Sequence, residues 1–450
     1  MNKNQFDVIV VGTGPAGSKI ARSTAKSGSR VALIESREFG GTCALRGCNP
    51  KKVFVHAASL IDQIHRADGK LITDHGVNID WQQLCAFKNK FTEPVAAKSE
   101  RSFQDDGIET FHGTAKFSDE TRICVDDLAL DANRIVIATG AKPTPLTIPG
   151  EEYLIHSDEF MELDHLGDRI VFVGGGYISM EFAHVVARCG KKVTVIDHQD
   201  HVLTGFDTDL VKLLQNYSQQ RGIDFRLGHR VVGIDGAGNK SKKVILEDGG
   251  LIECDMIIHG AGRDPSISTL QLDVGHVDFE DQGIIVDQYM RSTSNPIVYA
   301  AGDCAASGKP KLTPTANEEA RIIADNLFNN EPETLPSYGH IPRVAFTIPA
   351  IAAVGMSQEE AKESHSEVDV RFEETSSWNS NRKTGETVAG YKLIIDKQTD
   401  LILGAHLLGP QAEETINIFA LAMRYNLTAT NLKATLFAFP THAADIRKMV

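Results

Sequence analysis

No apolar run in the 450 residues approaches the length of a membrane span. A basic excess is missing too: 46 Lys and Arg stand against 60 Asp and Glu, a formal net charge of −14. That balance argues against nucleic acid or a phospholipid surface as partner. Met1-Asn2-Lys3-Asn4-Gln5 runs straight into an apolar strand pattern, with no n-region and no cleavage site of a leader. Cysteines are few, seven in all and irregularly spaced, which excludes the framework of a small secreted disulfide-rich domain. Low-complexity segments are absent as well. A cytoplasmic chain is expected, one in which a disulfide would be catalytic rather than structural. Its length leaves room for about two to four domains, each with its own core.

What is present centres on Gly40-Gly41-Thr42-Cys43-Ala44-Leu45-Arg46-Gly47-Cys48-Asn49-Pro50-Lys51-Lys52. Were residues 43 to 48 a regular helix, rise alone would hold their Cα atoms roughly 7.5 Å apart. A disulfide tolerates about 7 Å. The segment is therefore expected to kink, and Gly47 is placed to allow it. Two unrelated buried thiols, or half of a metal site, are the other readings. Metal sites more often show CxxC with a second matching pair, and no second pair exists here. Counted with the motifs that flank it, the pair is expected to be a reversible redox disulfide.

Asp7-Val8-Ile9-Val10-Val11 is a β-branched run ending at Gly12-Thr13-Gly14-Pro15-Ala16-Gly17. A helix pattern through Ile20, Ala21 and Ala25 follows, then the strand Val31-Ala32-Leu33-Ile34, closed by Glu35. Gly12 permits a tight turn, Gly14 lets backbone approach a pyrophosphate, Gly17 lets helix and strand pack, and Glu35 can accept from ribose hydroxyls. The unit recurs: Ile170-Val171-Phe172-Val173, Gly174-Gly175-Gly176-Tyr177-Ile178-Ser179, a helix from Met180 to Cys189, and Lys192-Val193-Thr194-Val195-Ile196-Asp197. The acid follows the first glycine at the same interval in both copies, and Ser179 stands where the third glycine would. Two dinucleotide sites on one chain suggest a relay between two nucleotide cofactors.

Shorter signals fill the remainder. Ile135 to Gly140 is an apolar strand ending at Gly, followed by a Pro-rich linker from Lys142 to Gly150. Met256 to Arg263 repeats that pattern, and Ile297 to Asp303 is a third strand-to-turn, leading to a helix around Asn317 to Phe328. Pro332, Pro336 and Pro342 punctuate a boundary. From Arg343 onward, strands over Lys392–Asp396 and Leu401–Leu408 and a helix over Ala412–Tyr425 predict a separate α+β domain.

With these motifs the chain resembles the flavoprotein disulfide reductases, the group of glutathione reductase, dihydrolipoamide dehydrogenase and mercuric reductase. The resemblance covers the chain from end to end. It implies an α/β fold with two Rossmann-like domains for FAD and NAD(P) and a C-terminal α+β domain that makes a homodimer. The implied boundaries are 1–147 and 269–337 for the FAD domain, 148–268 for the NAD(P) domain and 338–450 for the interface domain. Gly12, Gly14, Gly17 and Glu35 would hold the ADP half of FAD, and Asp303 its ribitol side. Gly174, Gly176 and Asp197 would serve the nicotinamide nucleotide, with Tyr177 as the ring that moves aside for nicotinamide. Gly41, Thr42, Thr139, Gly140, Gly262 and Arg263 are further cofactor-binding candidates. Cys48 would be the charge-transfer thiolate against the flavin and Cys43 the exposed interchange thiol, with Lys52 (or Lys51) paired to Glu181 beside the flavin N5. Nearby Lys charge favours the thiolate, the reactive form. Cys85, Cys124, Cys189, Cys254 and Cys304 are expected to be buried small hydrophobes.

The tail departs from the pattern. The family's His-Pro-Thr-x-x-Glu aligns with Phe439-Pro440-Thr441-His442-Ala443-Ala444-Asp445. Phe439 cannot move a proton, although His442 and Asp445 lie close by as a displaced acid/base pair, the other reading being that His442 is an incidental loop residue. Arg22 and Arg321 match arginines that glutathione reductases use for peptide carboxylates, and Phe103 falls where they carry a Tyr. The tail Arg447-Lys448-Met449-Val450 has no second thiol pair, against mercuric reductase or large thioredoxin reductase. Asp197, with no Arg soon after it, favours NADH over NADPH, although His198 and His201 can pair with a 2′-phosphate. A glutathione-reductase-like NAD(P)H:disulfide oxidoreductase on a small-molecule disulfide or other acceptor is expected. Two alternatives stand beside it: a flavin reductase of quinones or metal ions, and a nucleotide-binding redox sensor without turnover.

Overall fold

The computed structural model describes residues 4–236, 241–329 and 333–450. The opening residues 1–3 and Pro332 of the expected boundary lie outside the described residues. The chain divides into two compact units, and the described parts of 1–51, 86–144 and 263–338 form the first. Its seven-stranded sheet runs in the order Glu109–His112, Val31–Glu35, Gln5–Val11, Leu128–Ile137, Arg122–Val125, Ala115–Asp119, with Val298–Ala300 also paired to Leu128–Ile137. The strands around Gln5–Val11 are parallel, with Val8 opposite Val31 and Val10 opposite Val136. Arg122–Val125 and Ala115–Asp119 extend the sheet as an antiparallel hairpin that sequence reading did not see. Val8, Ile9 and Val10 are fully buried, as a parallel strand covered on both faces requires. Helix Pro15–Lys26 starts with Pro at its first turn, where a missing N–H costs nothing. Its Ala16, Ile20 and Ala21 share one core with Ala316, Ala320 and Ile323 of helix Thr313–Asn326.

The second unit takes in the described parts of 52–85, 145–262 and 339–450. A parallel sheet runs in the order Ile223–Leu227, Lys192–Asp197, Arg169–Val173, Met256–His259, Leu154–Ile155. Val231–Asp235, Lys242–Leu246 and Leu251–Cys254 add a three-stranded antiparallel sheet. A five-stranded antiparallel sheet follows, in the order Arg343–Ala345, Ile351–Gly355, Ile402–Leu408, Gly390–Asp396, Val368–Glu374. Helix Ala412–Arg424 buries Ile416, Phe419, Ala422 and Met423 against this sheet's apolar residues. The fold is thus α/β with Rossmann-like parallel sheets and an antiparallel C-terminal domain. The helices Cys48–Ala67 and Trp81–Thr92 each start or end in the first unit and continue in the second. Among the described residues no helix is long and apolar enough to cross a membrane.

Candidate active site

The cysteine segment breaks where expected, for a partly different reason. Helix Gly41–Leu45 ends at Arg46, and helix Cys48–Ala67 begins two residues later. Gly47 is not in a left-handed conformation; a Cβ there would lie 2.8 Å from the Thr42 carbonyl oxygen, so close approach excludes a side chain. Gly41 has φ +71°, and a Cβ on it would sit 2.5 Å from Gly14 Cα, which seats the segment on the first fingerprint loop. Gly40 N–H also donates to Thr13 Oγ1 at 3.0 Å. Cys43 and Cys48 face one another as hydrogen-bonded thiols, and Thr313 Oγ1 donates to Cys43 Sγ at 3.6 Å. The Cys48 thiol is pushed well above its ordinary range, first by the hydrogen bond to Cys43, then by burial and the charge on Cys43. Lys51 and Thr313 pull the other way. Taken as whole residues, Cys48 is exposed and Cys43 half-buried, the reverse of the exposed Cys43 that the resemblance implied, although the Cys48 sulfur itself is desolvated. Among the other five cysteines, Cys254 and Cys304 are fully buried and Cys85, Cys124 and Cys189 partly so; burial pushes Cys189 up to about 12 and Cys254 up to about 11.

The first fingerprint makes an open cradle. Gly12 has φ +103°, and a Cβ on it would stand 2.3 Å from Ala138 O; a Cβ on Gly17 would stand 2.0 Å from Gly12 O. At Gly14, by contrast, a side chain would meet no protein atom within 4 Å. Local packing does not demand that glycine, and the space at the helix N-terminus suits a pyrophosphate. Glu35 Oε2 accepts from Thr13 N–H at 3.0 Å and from Thr13 Oγ1 at 2.6 Å, and Oε1 accepts from Arg37 N–H at 3.0 Å. Gly140 has φ +68° and is likewise open, and Thr139 beside it is half-buried. Asp303 sits in the turn Gly302–Cys304, where burial raises its carboxyl while Arg263 and Lys311 lower it. Arg263 therefore lies with Asp303. Glu319 Oε2 accepts from Gly302 N–H at 2.6 Å and holds this turn.

The second fingerprint repeats the first with one exchange. Asp197 Oδ2 accepts from Gly175 N–H, as Glu35 does from Thr13, and Oδ1 accepts from Gln199 N–H at 2.8 Å. His198 Nδ1 lies 3.3 Å from Asp197 Oδ1. A Cβ on Gly174 would stand 2.4 Å from Gly260 O, the counterpart of Gly12 on Ala138. Where the first unit pairs Gly17 with Ala138, the second pairs Ser179 with Gly260, and a Cβ on Gly260 would stand 1.9 Å from Ser179 Oγ. The departure at Ser179 is offset by a glycine opposite. Gly176 is nearly open, its would-be Cβ 3.8 Å from the nearest atom; Gly262 has φ +120°; Tyr177 is the first residue of helix Tyr177–Arg188 and is exposed.

Lys52 Nζ meets Glu181 Oε2 at 2.8 Å, with Lys52 also 3.7 Å over the Phe346 ring and Phe346 N–H donating to Glu181 Oε1 at 3.0 Å. Four residues on from Cys48, Lys52 follows it by one helical turn, whereas Lys51 acts on the Cys48 thiol. Thr42 is exposed beside Cys43. At the tail, His442 opens helix His442–Met449 beside Asp445, whose carboxylate also accepts from Ser380 and from Lys448 at 3.1 Å. Burial lowers His442, against the pull of Asp445, and Phe439 is 85% exposed. Arg22 is paired with Asp106 and donates to Ser102 at 3.0 Å over the buried Phe103 ring. Arg321 is paired with Glu318 at 2.7 Å and Asp325 at 2.8 Å. Thr13, Thr313, Glu319 and Phe346 escaped sequence reading. Each acts through a backbone or side-chain contact that no spacing announces, although Thr13 sits inside the motif itself.

Residues 6–320 match the family described as pyridine nucleotide-disulphide oxidoreductase, and residues 341–450 its dimerisation domain. Glutathione reductase from Burkholderia cepacia is 32% identical over 447 residues, covering 99% of this chain and 98% of that relative. Dihydrolipoyl dehydrogenase from Chlamydia pneumoniae is 30% identical, covering 97% of this chain and 94% of that relative. Among solved structures, the Cu(II) complex of the HOCl-induced flavoprotein disulfide reductase RclA from Escherichia coli superposes with a TM-score of 0.88 at 26% identity. The match covers 98% of this chain and 99% of that one. By these matches the chain belongs to the pyridine nucleotide-disulphide oxidoreductases, a family of FAD- and NAD(P)H-using enzymes that act on disulfides, and it carries the family's dimerisation domain.

Proposed function

We propose that the chain passes electrons from NADH to the Cys43–Cys48 disulfide and on to a small acceptor, a glutathione-reductase-like chemistry without the usual acid/base His. The observation that carries this reading is the apposition of Cys43 and Cys48 with the Thr313 hydroxyl on Cys43. FAD fits the first unit: Gly12, Gly14, Gly17, Glu35, Gly41, Thr42, Thr139, Gly140 and Asp303 would hold it. When bound, it accepts hydride from the nicotinamide and returns an electron pair to the disulfide. Gly174, Gly176, Tyr177, Asp197, Gly262 and Arg263 are assigned with these to cofactor binding. The domain division follows, with 1–147 and 269–337 for FAD, 148–268 for NAD(P) and 338–450 for the interface of a homodimer. A thiol pair that must be kept cycling suits the cytoplasm.

In the reduced state Cys43 is the sulfur equipped to attack. The Thr313 hydroxyl donates to it and stabilises its thiolate. That thiolate attacks one sulfur of an acceptor disulfide and releases the other as a thiolate. The Cys48 sulfur then displaces the bound half and closes the Cys43–Cys48 disulfide, so two electrons leave the pair and two acceptor thiols form. Lys51, whose charge lowers the Cys48 thiol, eases that second step. Lys52, fixed by Glu181, is a constant positive charge one turn beyond Cys48. The leaving thiolate needs a proton. Phe439 cannot give one, and His442 beside Asp445 is the nearest substitute along the tail.

A second reading has its own support. A metal ion accepts electrons without a proton, so Phe439 would cost nothing, and two of the similar RclA structures are Cu(II) complexes. Arg22 and Arg321 are both already neutralised by carboxylates, which counts against recognition of a peptide's carboxylates by that pair. An acceptor screen of glutathione disulfide, lipoamide, quinones and Cu(II), followed by NADH oxidation, tests the proposal. Turnover with a disulfide, lost in Cys43→Ser, supports it. Turnover with quinone or Cu(II) that persists undiminished in both Cys43→Ser and Cys48→Ser contradicts it.

A further inference from the structure

The Lys52–Glu181 pair is one rung of a longer buried ladder within the second unit. Helix Tyr177–Arg188 presents Glu181, His184 and Arg188 on one stripe, by their spacing of three and four. All three grip the segment before strand Ile351–Gly355. Glu181 accepts from Phe346 N–H at 3.0 Å, His184 Nδ1 accepts from Ile348 N–H at 3.2 Å, and Arg188 donates to Ile348 O at 3.3 Å. His184 is neutral with its proton on Nε2: Ser218 Oγ sends its own proton to Leu214 O at 2.7 Å and so must accept from the imidazole at 3.1 Å.

Helix Cys48–Ala67 supplies the opposing stripe. Below Lys52, Asp62 Oδ1 accepts from Arg188 Nη2 at 2.7 Å and from Nε at 3.2 Å, while Oδ2 accepts from Arg66 Nε at 2.8 Å. Arg66 continues to Thr384 O at 2.8 Å and lies 3.3 Å from Glu386. The Asp62 and Arg188 side chains are each 5% exposed. Buried ion pairs of this kind roughly break even against apolar side chains in stability, so their directionality is what distinguishes them. A slide of either helix by one residue, about 1.5 Å, would strand buried charges.

We propose that Asp62, His184 and Arg188 are positioning residues that fix the register of the two helices and seat Phe346, and so hold the Lys52 ammonium between the Glu181 carboxylate and the Phe346 ring for hydride transfer. This catalytic consequence rests on the function proposed above; the register itself does not.

The test compares FAD-loaded Arg188→Met, Arg188→Lys and the near-isosteric Asp62→Asn with Lys392→Met. Lys392 is a buried ion-pair residue of the same unit whose partners, Asp207 at 2.7 Å and Asp209 at 2.6 Å, are not ladder residues. Arg188→Met and Asp62→Asn are expected to speed amide exchange at Phe346 and Ile348 selectively, while Lys392→Met leaves those amides protected. Rapid-mixing flavin reduction at saturating NADH should slow by about tenfold or more in Arg188→Met, with nucleotide affinity held within about twofold and partial recovery in Arg188→Lys. If the ladder variants only lower the thermal midpoint as Lys392→Met does, with flavin reduction and Phe346 exchange unchanged, the proposal is overturned. Should wild type fail to be reduced by either nucleotide, the proposed function falls. Exchange at Phe346 and Ile348 then decides the register claim alone, selective loss supporting it and uniform loss overturning it.

Discussion

Ser179 and Gly260 show how a residue-level departure is absorbed. The serine hydroxyl occupies the space that Ala138 takes opposite Gly17 in the first unit, and Gly260 yields the room. Gly260→Ala is therefore expected to destabilise the chain by about 1–3 kcal/mol in denaturant unfolding, and Ser179→Gly in the same chain to restore most of it. Strictly additive effects of the two substitutions would contradict direct contact as the cause. Asp197 is the residue to which the proposed function assigns the nucleotide choice. Its carboxylate is fixed by the Gly175 and Gln199 amides, where it would repel a 2′-phosphate. NADH should exceed NADPH in kcat/KM near pH 7.5 by about tenfold, or about 1.4 kcal/mol, and Asp197→Ala should shrink the gap. A tenfold preference for NADPH in wild type would mean that His198 and His201 outweigh the aspartate.

Elements differ in how far the sequence exposes them. Both strand–turn–helix units were legible because β-branched runs ending at Gly-x-Gly leave few alternatives, and the cysteine kink followed from helix rise. Boundaries were not: the helix expected from Met180 starts at Tyr177, and the one expected around Asn317 starts at Thr313, since capping there runs through backbone geometry without a side-chain cap. The hairpin of Ala115–Asp119 with Arg122–Val125 and the three-stranded sheet are short and partly polar, so periodicity gave little hold on them. The ladder was invisible because Asp62 and Arg188 are 126 residues apart in sequence. His184 on that ladder also predicts a pH response. Burial, more than the Arg188 charge, lowers its folded-state pKa well below the usual 6.5. Its unfolded form thus binds a proton that the folded form refuses. The stability it allows is complete above the unfolded pKa and is lost as pH falls below it. Between pH 7.5 and 5.5 the thermal midpoint of wild type should fall more than that of His184→Gln. Parallel curves would show that another group governs acid sensitivity.

For the whole molecule, the C-terminal domain leaves Leu436 and Phe439 at 89% and 85% exposure, large apolar side chains that a second copy of the chain would cover. Light scattering at assay concentration should report a homodimer, and a catalytically active monomer would contradict that assembly. The central claim concerns the path of electrons through Cys48 to Cys43. Its most direct measurement is anaerobic titration of the FAD-loaded protein with NADH, followed at long wavelength. We expect a thiolate-to-flavin charge-transfer band on reduction in wild type, the same band without reductant in Cys43→Ser, and none in Cys48→Ser. A band that survives in Cys48→Ser would contradict the assignment of Cys48 as the flavin-facing thiolate.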